Sequence, residues 1–285
     1  MSNVLSNAVR LVSTPGMAGA YSSWVSTKML SKESPAITSV NGTSIWGLPS
    51  FSEYWAFYKG LPTAEEKLIK TCLDKAGDHS IAIDIGANLG LFTVALASLG
   101  YSDVHAFEPI LDTFDKLKEN VSRNDLTDRI HLNCSAIGKE AGTAKFKTFE
   151  KSPAINRMMV SQQDQVVNHR NHEQISNVRI VSLDSYCFDN DINHIDLLKI
   201  DVEGMEPLVI EGARDLLLKK KASVVLIEMC PANLNNMGFS VLHLSRLFEE
   251  VDYTPYRLNE DGCIGKPLSL QDLEAIRLEN IVLLP

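Results

Sequence analysis

Five acids and one lysine stand where apolar runs of the chain end, which is where side chains of an α/β protein meet a bound molecule. Asp84 lies in the run 81–85 and is followed by Gly86, Ala87, Asn88, Leu89 and Gly90. Glu108 closes the next run, about twenty residues on, the separation at which an acid on a neighbouring strand reaches a ribose. Lys199, Asp201 and Glu203 alternate at the end of a third run, and Glu228 ends a fourth. Alternation in an extended chain puts side chains on one face, so the spacing predicts that these three point the same way. A lysine inside a strand needs a carboxylate partner, because an unpaired buried ammonium is costly, and Asp84, Asp201 and Glu228 are available.

The first cluster predicts a nucleoside site. Glycines at 86 and 90 let backbone come close to a ligand, and the helix that follows offers its amino-terminal amides. A dinucleotide fingerprint spaces its glycines G-x-G-x-x-G around a pyrophosphate. This chain has G-x-x-x-G, with Asn88 inside it and Asp84 before it, and that acid would repel a phosphate. A cationic, phosphate-free nucleoside suits the acids better. S-adenosylmethionine is one: its sulfonium is positive, its aminoacyl end carries an ammonium, and its ribose offers two hydroxyls to Glu108. The cofactor set is then Asp84, Gly86, Ala87, Asn88, Gly90 and Glu108, with Ser135 and Ala136, beside Asn133 and Ile137, enclosing the base. A nicotinamide-dependent oxidoreductase is the competing reading of the same strand, turn and helix.

The elements that must hold these residues follow from periodicity. From Ile81 onward short apolar runs alternate with amphipathic stretches, the rhythm of βαβ units and a parallel sheet. The run 130–137 reads as the third strand, 143–149 and 177–183 as a hairpin-like pair, 195–202 and 222–229 as buried strands, and 241–250 as an amphipathic helix. A strand near 253–258 and the terminal run 281–284, with Gly262 and Gly265 in the loop between them, are expected to pair antiparallel at one edge. Residues 1–79 form an amino-terminal appendage, and its aromatic stretch 51–58 is expected to pack against the sheet, with the acceptor or a second copy of the chain in a homo-oligomer as the alternative partners. Thr63 begins a helix that leads into the first strand, and residues 80–285 form the cofactor-binding domain. The polar, aperiodic insertion 150–177 is long for a connection, which marks a lid, a binding segment or a disordered loop.

The strings DIGANLGLFT (84–93), AFEP (106–109), VSLDSY (181–186), LLKIDVEGME (197–206) and EGA (211–213), in that order, resemble the FkbM-type methyltransferases of the class I S-adenosylmethionine-dependent superfamily. The resemblance implies an α/β, Rossmann-like fold: a mostly parallel seven-stranded sheet, helices on both faces, an antiparallel edge strand. It also implies methylation of a hydroxyl on a small molecule such as a sugar or a polyketide-like product. Residues 1–79 and 150–177 lie outside it and are the parts expected to choose the acceptor.

Methyl transfer from a sulfonium is an in-line displacement, so positioning carries much of the catalysis, and an acceptor hydroxyl must also lose its proton. Asp201, Glu203 and Glu228, with Lys199 beside them, are the catalytic candidates, as general base or acceptor clamp. No residue is assigned to a metal, although the three acids are hard oxygen ligands of the kind a divalent cation takes. The competing structural reading pairs Lys199 with Asp201 and has Glu203 cap the next helix. None of the seven histidines forms a metal-like pair in sequence; His169 and His172 are read as ordinary loop residues, with a base reaching the acceptor as the alternative.

Composition narrows the partners. A net charge of −9 works against nucleic-acid binding, and the one dense basic run, Lys219 to Lys221, reads as the solvated end of a helix. The fourth strand ends in Asp-Val-Glu-Gly, where methylases of nucleobase amino groups often carry Asn/Asp-Pro-Pro-aromatic. Five widely spaced cysteines make no disulfide framework, no run of about 18 apolar residues marks a membrane span, and Arg10 and Gly16 break any signal-type core, so a cytoplasmic protein is expected. A non-catalytic S-adenosylmethionine-binding protein is the third reading.

Overall fold

A computed structural model of the chain describes residues 37–38, 44–46, 63–149, 157–158 and 173–285. Its main sheet has eight strands. Five are parallel neighbours: β11 (Ala222–Met229), β10 (Ile195–Ile200), β3 (Ile81–Ile85), β4 (Asp103–Phe107) and β5 (Ile130–Asn133), in that spatial order. Beyond β11 come β14 (Glu279–Leu284), antiparallel to it, then β12 (Thr254–Leu258), then β13 (Ile264–Pro267). The expected seven strands and the antiparallel pairing of 254–258 with the terminal run are all present. The eighth strand, β13, comes from the loop that carries Gly262 and Gly265; it hydrogen-bonds along β12 and moves the sheet edge outward.

The chain order reverses between β3 and β10: β3 leads outward to β4 and β5, and β10 starts the other half. That switch point leaves a crevice beyond the carboxyl ends of both strands, and helices on the two faces close everything else. Alternation along the strands sorts the faces. Ile83, Ile85, Leu198 and Ile200 point to one core, covered by α4 (Leu183–Asp189), α5 (Glu206–Gly212), α6 (Arg214–Leu218) and α8 (Val241–Glu250). Ala82, Val104, Ala106 and Leu197 point to the other, covered by α1 (Thr63–Lys75), α2 (Leu91–Leu99) and α3 (Leu111–Arg123). The remaining helices among the described residues are α7 (Pro231–Asn236) and α9 (Leu270–Ala275).

Leu68, Ile69 and Cys72 of α1 are buried in that second core, and so is Ile45 of the short strand β2 (Ser44–Ile45), which pairs with β1 (Ile37–Thr38). The main chain of Trp46 exchanges hydrogen bonds with Asn120 of α3 at 2.7 and 3.2 Å. The core therefore begins well before residue 80 and takes in part of the stretch read as an appendage.

The run 130–137 is two strands rather than one. Ser135 N turns back onto Asn133 O at 3.0 Å, ending β5, and β6 (Ala136–Ile137) joins a second sheet of order β6-β9-β7-β8. Here β7 (Gly142–Phe149) and β9 (Glu173–Val181) are the expected hairpin-like pair, in antiparallel register from Gly142 opposite Ile180 to Phe149 opposite Glu173, and β8 (Arg157–Met158) flanks β7. This sheet brings Ala136, Ile137, Phe146 and Ile180 to the open end of the main sheet. Among the described residues no helix is long and apolar enough to cross a membrane.

Candidate active site

At the end of β3 the amides of Gly86 and Ala87 both donate to Phe107 O, at 3.0 and 2.9 Å, which folds the turn over the end of β4. Gly86, Asn88 and Gly90 have φ of +86°, +52° and +92°. The glycines answer to protein rather than to ligand. A Cβ on Gly86 would stand 1.8 Å from the carbonyl oxygen of Asp201, and one on Gly90 2.5 Å from Leu117 Cδ1. The Asp201 backbone just past β10 excludes a side chain at 86, and at 90 the positive φ disfavours one beside Leu117 of α3.

A cavity of about 250 Å³ opens beyond the carboxyl ends of β3, β4, β10 and β11. Gly86, Asn88, Glu108, Ser135 and Ala136 line it, as the sequence predicts for the cofactor set, and Phe107, Ile110 and Ile137 add apolar wall. Glu108 is held in place by backbone: Oε2 accepts from Asn88 N at 3.0 Å and Oε1 from Ile110 N at 2.9 Å. Burial pushes its carboxyl up to about 7, against the pull of those two amides. Asn88 Oδ1, in the same wall, is buried without a hydrogen-bond partner, an acceptor that a bound donor would satisfy.

Asp84, Ala87, Gly90 and Lys199 do not line the cavity, contrary to the roles the sequence predicts for them. Even positions of β3 and odd positions of β10 face the α1/α2/α3 side, so Asp84 and Lys199, partners in the β3–β10 register, are buried beneath α2. Asp84 Oδ2 accepts from Thr93 Oγ1 at 2.6 Å, and Lys199 Nζ lies 3.6 Å from Asp84 Oδ1 and 2.9 Å from Asp201 Oδ2. The ammonium also sits 5.1 Å from the centre of the Phe92 ring. Burial opposes its charge, but Asp201 and Asp84 outweigh that and hold its pKa above the usual lysine range. Burial raises that of Asp84. The two residues carry the glycine turn from below. Asn133 is likewise outside the lining, bound to Ala106 O and the Tyr186 hydroxyl.

Three catalytic candidates do meet in the cavity. Asp201, Glu203 and Glu228 line it, with one carboxylate oxygen from each within 4.8 Å of the others. They do not share a strand face, because β10 stops at Ile200 and Glu203 sits in a turn with φ +55°. Glu203 Oε2 accepts from Asn233 Nδ2 at 2.6 Å, and a Cβ on Gly204 would lie 2.4 Å from Asn233 O, so the turn is pressed against α7. Burial, then Asp201, pushes Glu203 up to about 7; burial, then Asp201 and Glu203, pushes Glu228 up to about 8. Proton acceptors near neutral pH are thus gathered at one side of the cavity.

Residues 84–255, more than half of the chain and all of these walls, match the family described as the methyltransferase FkbM domain. The chain belongs to the FkbM methyltransferase family. It is an S-adenosylmethionine-dependent methyltransferase of Rossmann-like α/β fold. It is 26% identical over 250 residues to the hexuronic acid methyltransferase AglP of Haloferax volcanii, covering 85% of this chain and 93% of the relative. Methyltransferase 1 of Beauveria bassiana is 24% identical over 225 residues, 71% of this chain and 88% of that protein. Among solved structures, an S-adenosylmethionine-dependent methyltransferase from Agrobacterium tumefaciens superposes with a TM-score of 0.48 at 11% identity, over 89% of this chain and 70% of that one.

The FkbM motifs outside the cavity have packing roles. Ser182 caps α4 by accepting from Ser185 N at 3.2 Å, and Asp184 accepts from the amides of Asp215 and Leu216 at 2.9 Å each, joining α4 to α6. In the EGA string a Cβ on Gly212 would lie 2.0 Å from Gly138 O, and Glu211 pairs with Lys139 at 2.9 Å. Sequence reasoning missed Glu206 and Asn233. Glu206, rather than Glu203, takes the amides of the turn, Gly204 N at 3.0 Å and Val202 N at 3.4 Å. The signal was an acid followed by Pro207 at the start of an apolar helix. It missed a histidine pair as well: the β4–β5 register sets His105 beside His131. In the basic run, Lys220 pairs with Asp252 at 2.9 Å and Lys219 with Asp215 at 3.4 Å just past α6. The aromatic stretch 51–58, His169 and His172 lie outside the described residues.

Proposed function

We propose that this FkbM enzyme methylates a hydroxyl group of a small polyhydroxyl acceptor of the sugar class. The reading is carried by the cavity, which sets a backbone-held Glu108 and the unsatisfied Asn88 Oδ1 at one side and three carboxylates with raised proton affinity at the other.

These residues fit S-adenosylmethionine, which when bound supplies a methyl group on a positively charged sulfur. Glu108 would accept from the ribose hydroxyls, its two oxygens already oriented by the Asn88 and Ile110 amides. Asn88 Oδ1 would accept from a further donor, and Ile110, Ala136 and Ile137 supply an apolar slot for the base. Across the cavity, Glu228, whose proton affinity burial beside Asp201 and Glu203 raises, would take the acceptor's proton in its ionised form, with Glu203 and Asp201 binding the neighbouring hydroxyls. Lys199 is a positioning residue: it holds Asp201 at 2.9 Å and does not reach the cavity wall. The acceptor class rests on this polar, acid-rich wall, which can accept hydrogen bonds from the hydroxyls of a polyol, and on the relative from Haloferax volcanii, whose name gives a sugar derivative, a hexuronic acid, as its substrate.

The test is incubation with labelled S-adenosylmethionine and a panel of monosaccharides, uronic acids and phenols, with and without a chelator. Methyl ether products on sugars support the reading, and loss of turnover in Glu228→Gln with cofactor affinity kept places the base. Label found only in phenols, amines or methyl esters overturns the acceptor. Turnover unchanged in Asp201→Ala and Glu203→Ala would remove these two acids from the acceptor site, and loss on chelation that is the same in His131→Ala as in the wild type would move the three acids from proton transfer to cation binding.

A further inference from the structure

A second cluster of ligating side chains lies in the main sheet away from the cavity. Asp103 and His105 of β4 and His131 of β5 place Asp103 Oδ1 and one ring nitrogen of each histidine within 4.8 Å of one another. Sequence spacing hides the group, because the two histidines are 26 positions apart (131 − 105) and only the parallel register makes them neighbours. Their rings are stacked, with centroids 4.7 Å apart and planes 15° from parallel.

The cluster is incomplete as it stands. His105 is 4% exposed, and its Nε2 has no hydrogen-bond partner; nor has the buried Oδ1 of Asp103. The two atoms are 3.3 Å apart, and His131 Nε2 is 2.9 Å from the same oxygen, yet neither approach has hydrogen-bond geometry. A separation of about 3.3 Å is what two ligands show when they share a tetrahedral ion with bonds of about 2.0–2.1 Å. The opposite ring atom is anchored: His105 Nδ1 is 2.8 Å from the Tyr186 hydroxyl, which also accepts from Asn133 Nδ2 at 3.1 Å. A hydrogen bond at the other ring nitrogen is the outer support that metal-bound imidazoles have. His131 is exposed, so its ring can turn toward the common point and solvent can complete the coordination.

We propose that Asp103, His105 and His131 bind a divalent transition ion of the zinc class. Two imidazoles and one carboxylate select such an ion over magnesium or calcium, which take oxygen ligands. The ion would fasten the start of β4 to β5. Tyr186, which holds His105, packs edge-on against Phe107 at 4.7 Å, and Phe107 lines the cofactor cavity, so the site braces that wall from behind. The proposal is independent of the acceptor assigned above.

The full chain, stripped with a chelator, is titrated with zinc by calorimetry and with cobalt(II) by visible absorption, and its melting temperature is followed with zinc and with magnesium. Zinc is expected to bind at one equivalent more in the wild type than in His131→Ala, with affinity at this site reduced about tenfold or more in Asp103→Asn. Cobalt should give a ligand-field band that His131→Ala loses and Asp103→Asn develops only at higher cobalt concentration, and only zinc should raise the melting temperature. His131 is exposed, so its variant is expected to fold; His131→Gln serves if it does not. Equal zinc stoichiometry and affinity in wild type and both variants, or no binding by the wild type, would overturn the site.

Discussion

Asp84 and Lys199 stand directly across from each other in the register of β3 and β10, with 3.6 Å between the ammonium and a carboxylate that solvent does not reach. The pair lies beneath the glycine turn, and Lys199 extends it to Asp201 in the cavity wall. A buried charge that loses its partner is more costly than the pair is worth, because the remaining ion is left without compensation. Lys199→Met should therefore cost about 3–5 kcal/mol of unfolding free energy. The double variant Asp84→Leu with Lys199→Met should recover a large part of that loss. Urea denaturation of the four proteins measures the coupling; additive effects would show that the two residues act separately.

The buried acids in and next to the cavity give stability a pH dependence of definite sign. Glu108, Glu203 and Glu206 are pushed up to about 7 and Glu228 to about 8, chiefly by burial, from an ordinary value of 4.5. Between those values the folded state binds more protons than the unfolded one, so this contribution is full below about pH 4.5 and is lost as pH rises through 7 to 8. His105 works in the opposite sense, since burial lowers its pKa and favours folding as pH rises. Four acids against one histidine predict a cofactor-free melting temperature that falls from pH 5.5 to 8. Calorimetry at constant ionic strength checks it, and a flat or rising profile contradicts it.

Binding at Glu108 should release a proton. Ribose hydroxyls donate best to the ionised carboxylate, and this group is held near 7 before binding. Titration of the protein with S-adenosylmethionine at pH 6.5, in two buffers of different ionisation enthalpy, is expected to give different heats. Glu108→Gln should remove the difference and weaken binding by roughly 1.5–3 kcal/mol. Equal heats in the two buffers for the wild type would remove Glu108 from the site.

Gly86→Ala tests the closeness of the strand ends. The added methyl would overlap Asp201 O, which is backbone and cannot swing aside, and φ is +86°. A loss of more than about 3 kcal/mol is expected, from the strained dihedral and the forced separation of β3 from β10 together. Gly142→Ala is the control: nothing lies within 4 Å of its added carbon, and the change should be within about 0.5 kcal/mol. Comparable stability of the two variants would refute the packing account.

Glu206→Ala should loosen the turn that aims the acids. Its Oε1 serves the Gly204 and Val202 amides, and the group is buried. Leaving those donors unsatisfied costs about 1–3 kcal/mol. A turnover rate that falls more than cofactor affinity would locate the effect on the acceptor side, and an unchanged rate would confine Glu206 to stability.

Much of this was legible along the chain. Apolar runs broken by amphipathic stretches specify a parallel sheet because strand and helix periods differ, and acids where those runs end mark the crevice because only there does the backbone leave the sheet. Glu108, Asp201, Glu203 and Glu228 are expected on that ground, Gly86 and Asn88 from the glycine turn and Ser135 and Ala136 from their place after the third strand, and all of them line the cavity. What needed three dimensions was direction. One residue of β3 separates Asp84 from the mouth of the crevice, and that single step of the pleat turns it under α2 instead of toward the ligand. Glycines at 86 and 90 announce that no side chain fits, but whether ligand, strand or helix fills the space depends on elements over 100 and about 30 residues away, Asp201 and Leu117. The register of β4 against β5 likewise decides that His105 and His131 touch, because pairing between strands is a long-range contact that local spacing does not encode.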